Sequence, residues 1–297
     1  MSLQQLVLCN ERLTVNIASP GTLYRGSRFD WSGFITQVNL DDQHTFCVAE
    51  SLEEGKGSGG CGLCGEFGIR MPIGYDEAQV GECFPKLGVG NLIKPDNAPY
   101  DFFRPYTVNP AEWEVDANDT EAVFSIRSQP CNGYRYSYTK KITLDNNRLT
   151  IAYILQNTGD KPIETNEYCH NFVGIDNTPV GPQYKLRLPA TAVVKLLQGD
   201  LIVSDATATV TWPIGPMKQE FYCTVTPSCA QELFSWELIN STAGVGVREK
   251  DDFIPSDFAI WGSNHVISPE SFVSISIKPG QTQQWMREYE FFYIEER

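Results

Sequence analysis

Histidine is the scarcest titratable residue in this chain, with three copies, His44, His170 and His265, among 297 residues. Histidine-rich metal centres are therefore out of reach, and each imidazole can be weighed singly. Basic charge is also thin: 23 Lys and Arg stand against 37 Asp and Glu, a net charge of −14, and Lys140-Lys141 is the only basic doublet. Such a surface repels a phosphate backbone, so no nucleic-acid partner is expected. No apolar run approaches the roughly 18–20 residues that span a bilayer, so no membrane partner is expected. Residues Met1 to Leu13 lack a basic stretch followed by an apolar core. The expectation is a chain without a signal peptide and a cytoplasmic location. Neither a glycine-rich phosphate loop opening a helix nor a Gly-x-Ser-x-Gly elbow occurs, which leaves nucleotide-binding and serine-hydrolase readings without support.

What the chain does have is core material and strand pattern. It is 41% hydrophobic and 12% aromatic, which argues against disorder. Its length suits one large all-β domain, 1–297. Nine cysteines (Cys9, Cys47, Cys61, Cys64, Cys83, Cys131, Cys169, Cys223 and Cys229) are an odd, scattered set that fits free thiols in a reducing compartment. Cys61-Gly62-Leu63-Cys64 has the spacing of half a zinc site, but a second pair is missing, so no metal is expected.

Short alternating bursts run from Leu6-Val7-Leu8 through Leu13-Thr14-Val15 to Phe34–Val38. Glycine is then dense, and residues 50–68 read as a long loop, a class of segment that is often functional. Tyr134, Tyr136 and Tyr138 lead to a turn at Asp145-Asn146-Asn147, a return strand from Leu149, and a second turn at Asn157-Thr158-Gly159-Asp160. That pattern predicts a meander whose next strand is Ile163 to Ile175. Short strand-like runs follow, including Ala206 to Trp212 and Phe234 to Ile239. The chain closes on the strict alternation Phe272 to Ile277, a Pro279-Gly280 turn, and Trp285 to Tyr293. No long helical period appears. The expected fold is all-β, a large antiparallel sandwich.

Within it, Glu167-Tyr168-Cys169-His170-Asn171-Phe172 stands out. Strand alternation puts Tyr168, His170 and Phe172 on one side and Cys169 and Asn171 on the other. An imidazole with an ordinary pKa of about 6.5 can move protons near neutral pH, or it can be a half-buried group hydrogen-bonded to backbone. Glu270, in Ser268-Pro269-Glu270-Ser271-Phe272, sits where partial burial would raise a carboxyl into a range useful for base chemistry. Facing each other, the two would make an acid–base pair, and the sequence does not say whether they do.

These segments carry a resemblance. Gly26-Ser27-Arg28-Phe29-Asp30-Trp31-Ser32-Gly33, Glu66-Phe67-Gly68-Ile69, Gly81–Gly90, the His170 stretch, Ser268–Phe272 and the Pro279-Gly280 turn before Trp285 are spread over nearly the whole chain. Together they resemble the galactose mutarotase-like superfamily, the aldose 1-epimerases and their relatives, and within it a bacterial branch. The resemblance implies an antiparallel β-supersandwich with a sugar site on one face, and needs no cofactor. It implies His170 as the acid that protonates the ring oxygen and Glu270 as the base at the anomeric hydroxyl. It also makes Arg28, Asp30, Glu66, Lys86, Tyr168 and Asn171 candidate contacts to a small-molecule sugar or modified sugar. One departure is plain: the family's earlier sugar-binding histidine, in a His-Gly-Gly segment, has no counterpart between His44 and His170. Either Glu66 takes over that task or the substrate differs. Arg28 could instead pair with Asp30, and Lys86 with Glu82. A non-catalytic sugar-binding or sensing protein is the alternative reading, and a polysaccharide lyase using Tyr168 beside His170 a third. Oligomeric state stays open, a homodimer among the options.

Overall fold

The computed structural model describes residues 4–189, 192–204, 208–213, 219–227 and 235–295. Cys229, Phe234 and the Ala206-Thr207 pair lie outside them. Among the described residues the regular elements are β-strands, apart from one 3-10 turn at Ile175–Asn177. They form two ten-stranded sheets and a small sheet of Cys83–Lys86, Gly90–Ile93 and Val108–Pro110, and every pairing is antiparallel.

The site-bearing sheet runs, in order, Leu13–Ala18, Phe34–Leu40, Leu63–Phe67, Ile163–Asn171, Ile267–Ile277, Asp257–Gly262, Phe221–Pro227 and Ala192–Gln198, with Gln5–Cys9 at its first edge. The second sheet places Arg148–Asn157 between Tyr136–Asp145 and Thr282–Tyr293, and continues through Val245–Asp251 and Ser235–Asn240. The strict alternation at the C-terminal end is explained by this layering. Val273, Ile275 and Ile277 are buried in the main core with Tyr153, Trp285 and Tyr289 of the opposing sheet, while Ser274 and Ser276 face solvent. A second apolar cluster, with Phe29, Trp31, Phe84 and Phe172 in it, lies at the other face of the site-bearing sheet.

Two expectations change. Residues 50–68 are not loop throughout: Leu63–Phe67 is a strand, fully buried, pairing Glu66 with Tyr168 and Cys64 with His170. A strand covered on both faces has no alternation to read, and its glycine and glutamate disguise it further. The expected meander also breaks at its second bend. Tyr136–Asp145 and Arg148–Asn157 form a hairpin, with Asn146 at φ 54°, but Ile163–Asn171 crosses to the other sheet. The free edge of Arg148–Asn157 is filled by Thr282–Tyr293, with Tyr153 stacked on Trp285 at 4.9 Å. Asn157 fixes the crossing by donating to the carbonyls of Lys161 and Ile277, both at 2.8 Å.

Polar residues are sealed between the sheets too. Arg287, with no exposure, donates to Glu167 at 2.7 Å and to the Ser271 carbonyl at 2.9 Å. Glu249 takes hydrogen bonds from Asn171 and Trp236, and Asp251 one from Ser271. Burial, helped by the neighbouring Asp251, pushes the Glu249 carboxyl well up, and burial raises Asp251 although its hydrogen bonds oppose it, so the lone guanidinium is not left facing three carboxylates.

Candidate active site

Strand alternation sorts the side chains of Ile163–Asn171 and Ile267–Ile277 into two sets. Glu167, Asn171 and Ser271 point between the sheets. Asn166, Tyr168, His170, Glu270 and Phe272 point the other way, into a cleft of about 1190 Å³. His170 Nε2 lies 3.3 Å from Glu270 Oε1 on its floor, so the two candidate proton carriers, 100 residues apart in sequence, touch.

Ser268 completes the contact. Its hydroxyl is 2.7 Å from His170 Nδ1 and donates to Glu270 Oε1 at 3.1 Å. With its hydrogen given to Glu270, the serine oxygen is free to accept from Nδ1–H, which leaves the Nε2 lone pair aimed at Glu270. The ring itself is clamped, stacked on Phe172 at 3.8 Å with Trp261 edge-on at 5.4 Å. Burial sets the protonation. Removal from water holds His170 well below its ordinary value, helped by the nearby Arg28 cation. The same burial pushes Glu270 up to about 8, against the Ser268 hydrogen bond. At neutral pH the pair is an imidazole and a carboxylic acid, sharing one proton.

Beside the pair lies a charge network. Arg28 donates to Glu66 at 2.8 Å, to the Tyr168 hydroxyl at 3.1 Å and to Ser58 at 2.8 Å, and its guanidinium packs over Phe102 at 4.4 Å. Tyr168 in turn donates to Glu66 at 2.6 Å. Glu50 closes the array, taking Arg28 at 3.4 Å and the backbone amides of Ser58 and Gly60. Gly57 makes that wrap feasible: its φ is +72° and an added Cβ would sit 2.8 Å from the Glu50 carboxyl.

The sequence-derived candidates therefore divide. His170, Glu270, Arg28 and Tyr168 line the cleft. Glu66 stands behind Arg28 and Tyr168, and Lys86 behind Glu66, held by the Phe67 carbonyl at 2.7 Å. Burial pulls the Lys86 ammonium below the usual lysine value, although Glu66 opposes it. Lys86 does not reach the cleft, and it pairs with Glu66 rather than Glu82. Asp30 binds Tyr138 and Lys140 rather than Arg28, and Asn171 binds Glu249 and Tyr289 on the far face. Of the other two histidines, His265 also lines the cleft and His44 does not. His44 contacts Asp176, and His265 contacts Ser263 and the Ala49 carbonyl. Ser268, Glu50, Trp261 and Tyr222 belong to the site and were not singled out from sequence. Ser268 was findable, since two residues before Glu270 on a strand means the same face.

The eight described cysteines are free thiols, Cys64 donating weakly to the His170 carbonyl. Among the described residues no group of three or more His, Cys, Asp or Glu is arranged to hold a metal ion, and no helix is long and apolar enough to cross a membrane.

No protein-family model matches the chain, and no curated protein matches it. Solved structures do. A putative aldose 1-epimerase from Escherichia coli K12 superposes with a TM-score of 0.62 at 11% identity, covering 98% of this chain and 99% of that one. A galactose mutarotase-like protein from Lactobacillus casei gives 0.57 at 12%, covering 97% and 100%. A galactose 1-epimerase from Lactobacillus acidophilus gives 0.51 at 12%, covering 98% and 95%. The chain has the galactose mutarotase-like fold, an antiparallel β-sandwich, as the resemblance implied.

Proposed function

We propose that this protein is a carbohydrate-active enzyme of the aldose 1-epimerase type, interconverting the anomers of a sugar by ring opening and reclosure. The observation that carries the reading is the 3.3 Å contact between His170 Nε2 and Glu270 Oε1 on the floor of the cleft. The similarity in fold to proteins described as aldose and galactose 1-epimerases supports it.

Anomer exchange needs an acid at the ring oxygen and a base at the anomeric hydroxyl. Both oxygens are bonded to C1, so the acid and base must act at one edge of one sugar ring. Two side chains in contact satisfy that demand. The acid protonates the ring oxygen while the base takes the hydroxyl proton. The C1–O5 bond breaks and C1 becomes an aldehyde. Rotation about C1–C2 presents its other face, and reclosure returns both protons. Neutral imidazole plus carboxylic acid holds the same number of protons as imidazolium plus carboxylate. The histidine-acid, glutamate-base assignment implied by the resemblance is thus one proton shift from the resting arrangement, and the Ser268 hydroxyl keeps both groups aligned through that shift. Arg28 and Tyr168 border the pair and are the proposed contacts to the sugar hydroxyls.

Non-catalytic sugar binding is the second reading, favoured by the absence of the family's earlier histidine between His44 and His170. Exchange proton NMR on a panel of aldoses separates the two. The enzyme reading expects faster anomer exchange for at least one sugar, abolished in His170→Ala and in Glu270→Gln with the fold retained. Sugar affinity without acceleration by the wild-type protein would favour the binding reading.

A further inference from the structure

The backbone ladder that joins the two strands of the site is interrupted at the acid–base pair. Ile163–Asn171 and Ile267–Ile277 pair residue by residue from Ile163 opposite Ile277 to Tyr168 opposite Phe272. Five residues on, the same register returns, with Val173 and Ile267 exchanging both backbone hydrogen bonds. Carried across the gap, that register sets His170 opposite Glu270 and Asn171 opposite Pro269. Each strand keeps its outer neighbour through the gap, His170 opposite Cys64 and Glu270 opposite Ala259. Only the seam between them lapses.

A proline explains the lapse. Antiparallel pairs alternate between hydrogen-bonded and non-hydrogen-bonded. Counted back from Val173 and Ile267, Asn171 and Pro269 fall on a hydrogen-bonded position, and proline has no N–H to give. The Asn171 carbonyl takes the Val173 amide instead, at 2.8 Å. Side chains then bridge the seam. The Asn171 backbone N–H donates to Ser268 Oγ at 3.1 Å. Its carboxamide, fully buried, donates to the Pro269 carbonyl at 2.7 Å and to Glu249 at 2.9 Å, and accepts from the Tyr289 hydroxyl at 2.9 Å. Both amide hydrogens and the oxygen are engaged, which leaves the group one orientation. Ser268 is filled in the same way: accepting from Asn171 N–H and His170 Nδ1–H, it has only its own hydrogen to give, and gives it to Glu270. A polar residue satisfied inside a core would account for the bonds to Glu249 and Tyr289. The bond to Pro269 is of another kind, because it spans the open seam one residue from both members of the pair.

We propose that Asn171 is a positioning residue for the proton-transferring pair: its carboxamide replaces the ladder rung missing at Pro269 and so sets the separation at which His170 and Glu270 meet. This rests on the anomer-exchange reading above. Asn171 points between the sheets and touches no substrate. It acts through Pro269 on Glu270 and through Ser268 on His170. Its anchors, Glu249 on Val245–Asp251 and Tyr289 on Thr282–Tyr293, belong to the opposing sheet, so the pair is referenced to the core rather than to the cleft walls. Misplacing reacting groups by about 1 Å can cost about a hundredfold in rate, which gives such a bridge catalytic weight.

The test uses Asn171→Leu, which keeps the shape without hydrogen bonds, and Asn171→Ser, too short to span the seam, so that one folded variant suffices. Tyr289→Phe is the control, since it frees the Asn171 oxygen and leaves the bond to Pro269 in place. Exchange NMR gives kcat and KM, and long-range proton–nitrogen spectra read the His170 ring, one of only three imidazoles. Both Asn171 variants should lose about tenfold or more in kcat with KM within about twofold. Their His170 ring, a single Nδ1–H tautomer in the wild type, should average over both tautomers. Tyr289→Phe should lower the melting temperature yet keep the wild-type kcat and ring pattern. Wild-type kcat with an unaltered His170 pattern in a folded Asn171 variant would overturn the inference, as would an equal loss of kcat in Tyr289→Phe. If the wild type accelerates no sugar, the anomer-exchange reading fails by itself, and the His170 spectra alone uphold or overturn the positioning role.

Discussion

Glu270→Gln is expected to make this protein more stable at alkaline pH, and the size of the effect follows from the site. Glu270 is 5% exposed, and burial lifts its carboxyl from 4.5 to about 8. The folded chain therefore keeps a proton over a window, from 4.5 to about 8, in which the unfolded chain has lost it. Stability falls as pH rises through that window, because the unfolded state binds fewer protons. A difference of 3.5 pH units at about 1.36 kcal/mol each gives a ceiling of about 5 kcal/mol above pH 8. Glutamine keeps an oxygen to accept from Ser268 and never ionises, so the variant escapes this penalty. Urea unfolding followed by tryptophan fluorescence at several pH values measures it. The variant should exceed wild type by up to about 5 kcal/mol at pH 9, and the two should converge near pH 4.5. A gap that stays constant with pH, or a wild type that gains on the variant as pH rises, would refute the reasoning. Glu270 would then be an ordinary carboxylate paired with a charged His170.

The pair should also govern the pH–rate profile: anomer exchange declines above about pH 8, as the shared proton is lost, and that limb is absent at lower pH. Stopped-flow polarimetry from pH 5 to 10 would show it, and a rate still rising at pH 10 would contradict a shared proton. Arg28→Lys keeps the charge but loses the fork that holds Glu66, Tyr168 and Ser58 together. A KM about tenfold higher, with a smaller change in kcat, is the expected outcome. Between the sheets, Arg287→Met strands the buried Glu167 carboxylate and should cost about 3–5 kcal/mol in chemical denaturation. Adding Glu167→Gln should restore part of that loss, and a double variant worse than the single would argue against the ion pair.

Much of this architecture is legible in the chain, for identifiable reasons. Val273, Ile275 and Ile277 alternate with serines because one face of their strand meets the core and the other meets water. His170 reads as a strand residue among aromatics because the aromatics pack around it. Leu63–Phe67 is hidden by burial on both faces, which erases the period. The switch of Ile163–Asn171 to the other sheet is hidden because turn residues announce a bend but not which sheet the next strand joins. Of the candidate sugar contacts, Lys86, Asp30 and Asn171 are polar residues in sealed networks, and their type alone cannot separate a buried ion pair from a ligand contact. The meeting of His170 with Glu270 depends on the intervening register, Tyr168 opposite Phe272, which only the folded sheet supplies.

The central claim is that His170 and Glu270 act as one proton-transferring unit. Exchange NMR on wild type, His170→Ala, Glu270→Gln and the double variant tests it most directly, using whichever sugar the wild type accelerates. Groups that work as a unit are grossly non-additive. Each single variant should lose nearly all acceleration, and the double variant should be no slower than either. Losses that multiply in the double variant would mean two independent contributions, and single variants that retain full rates would contradict the account.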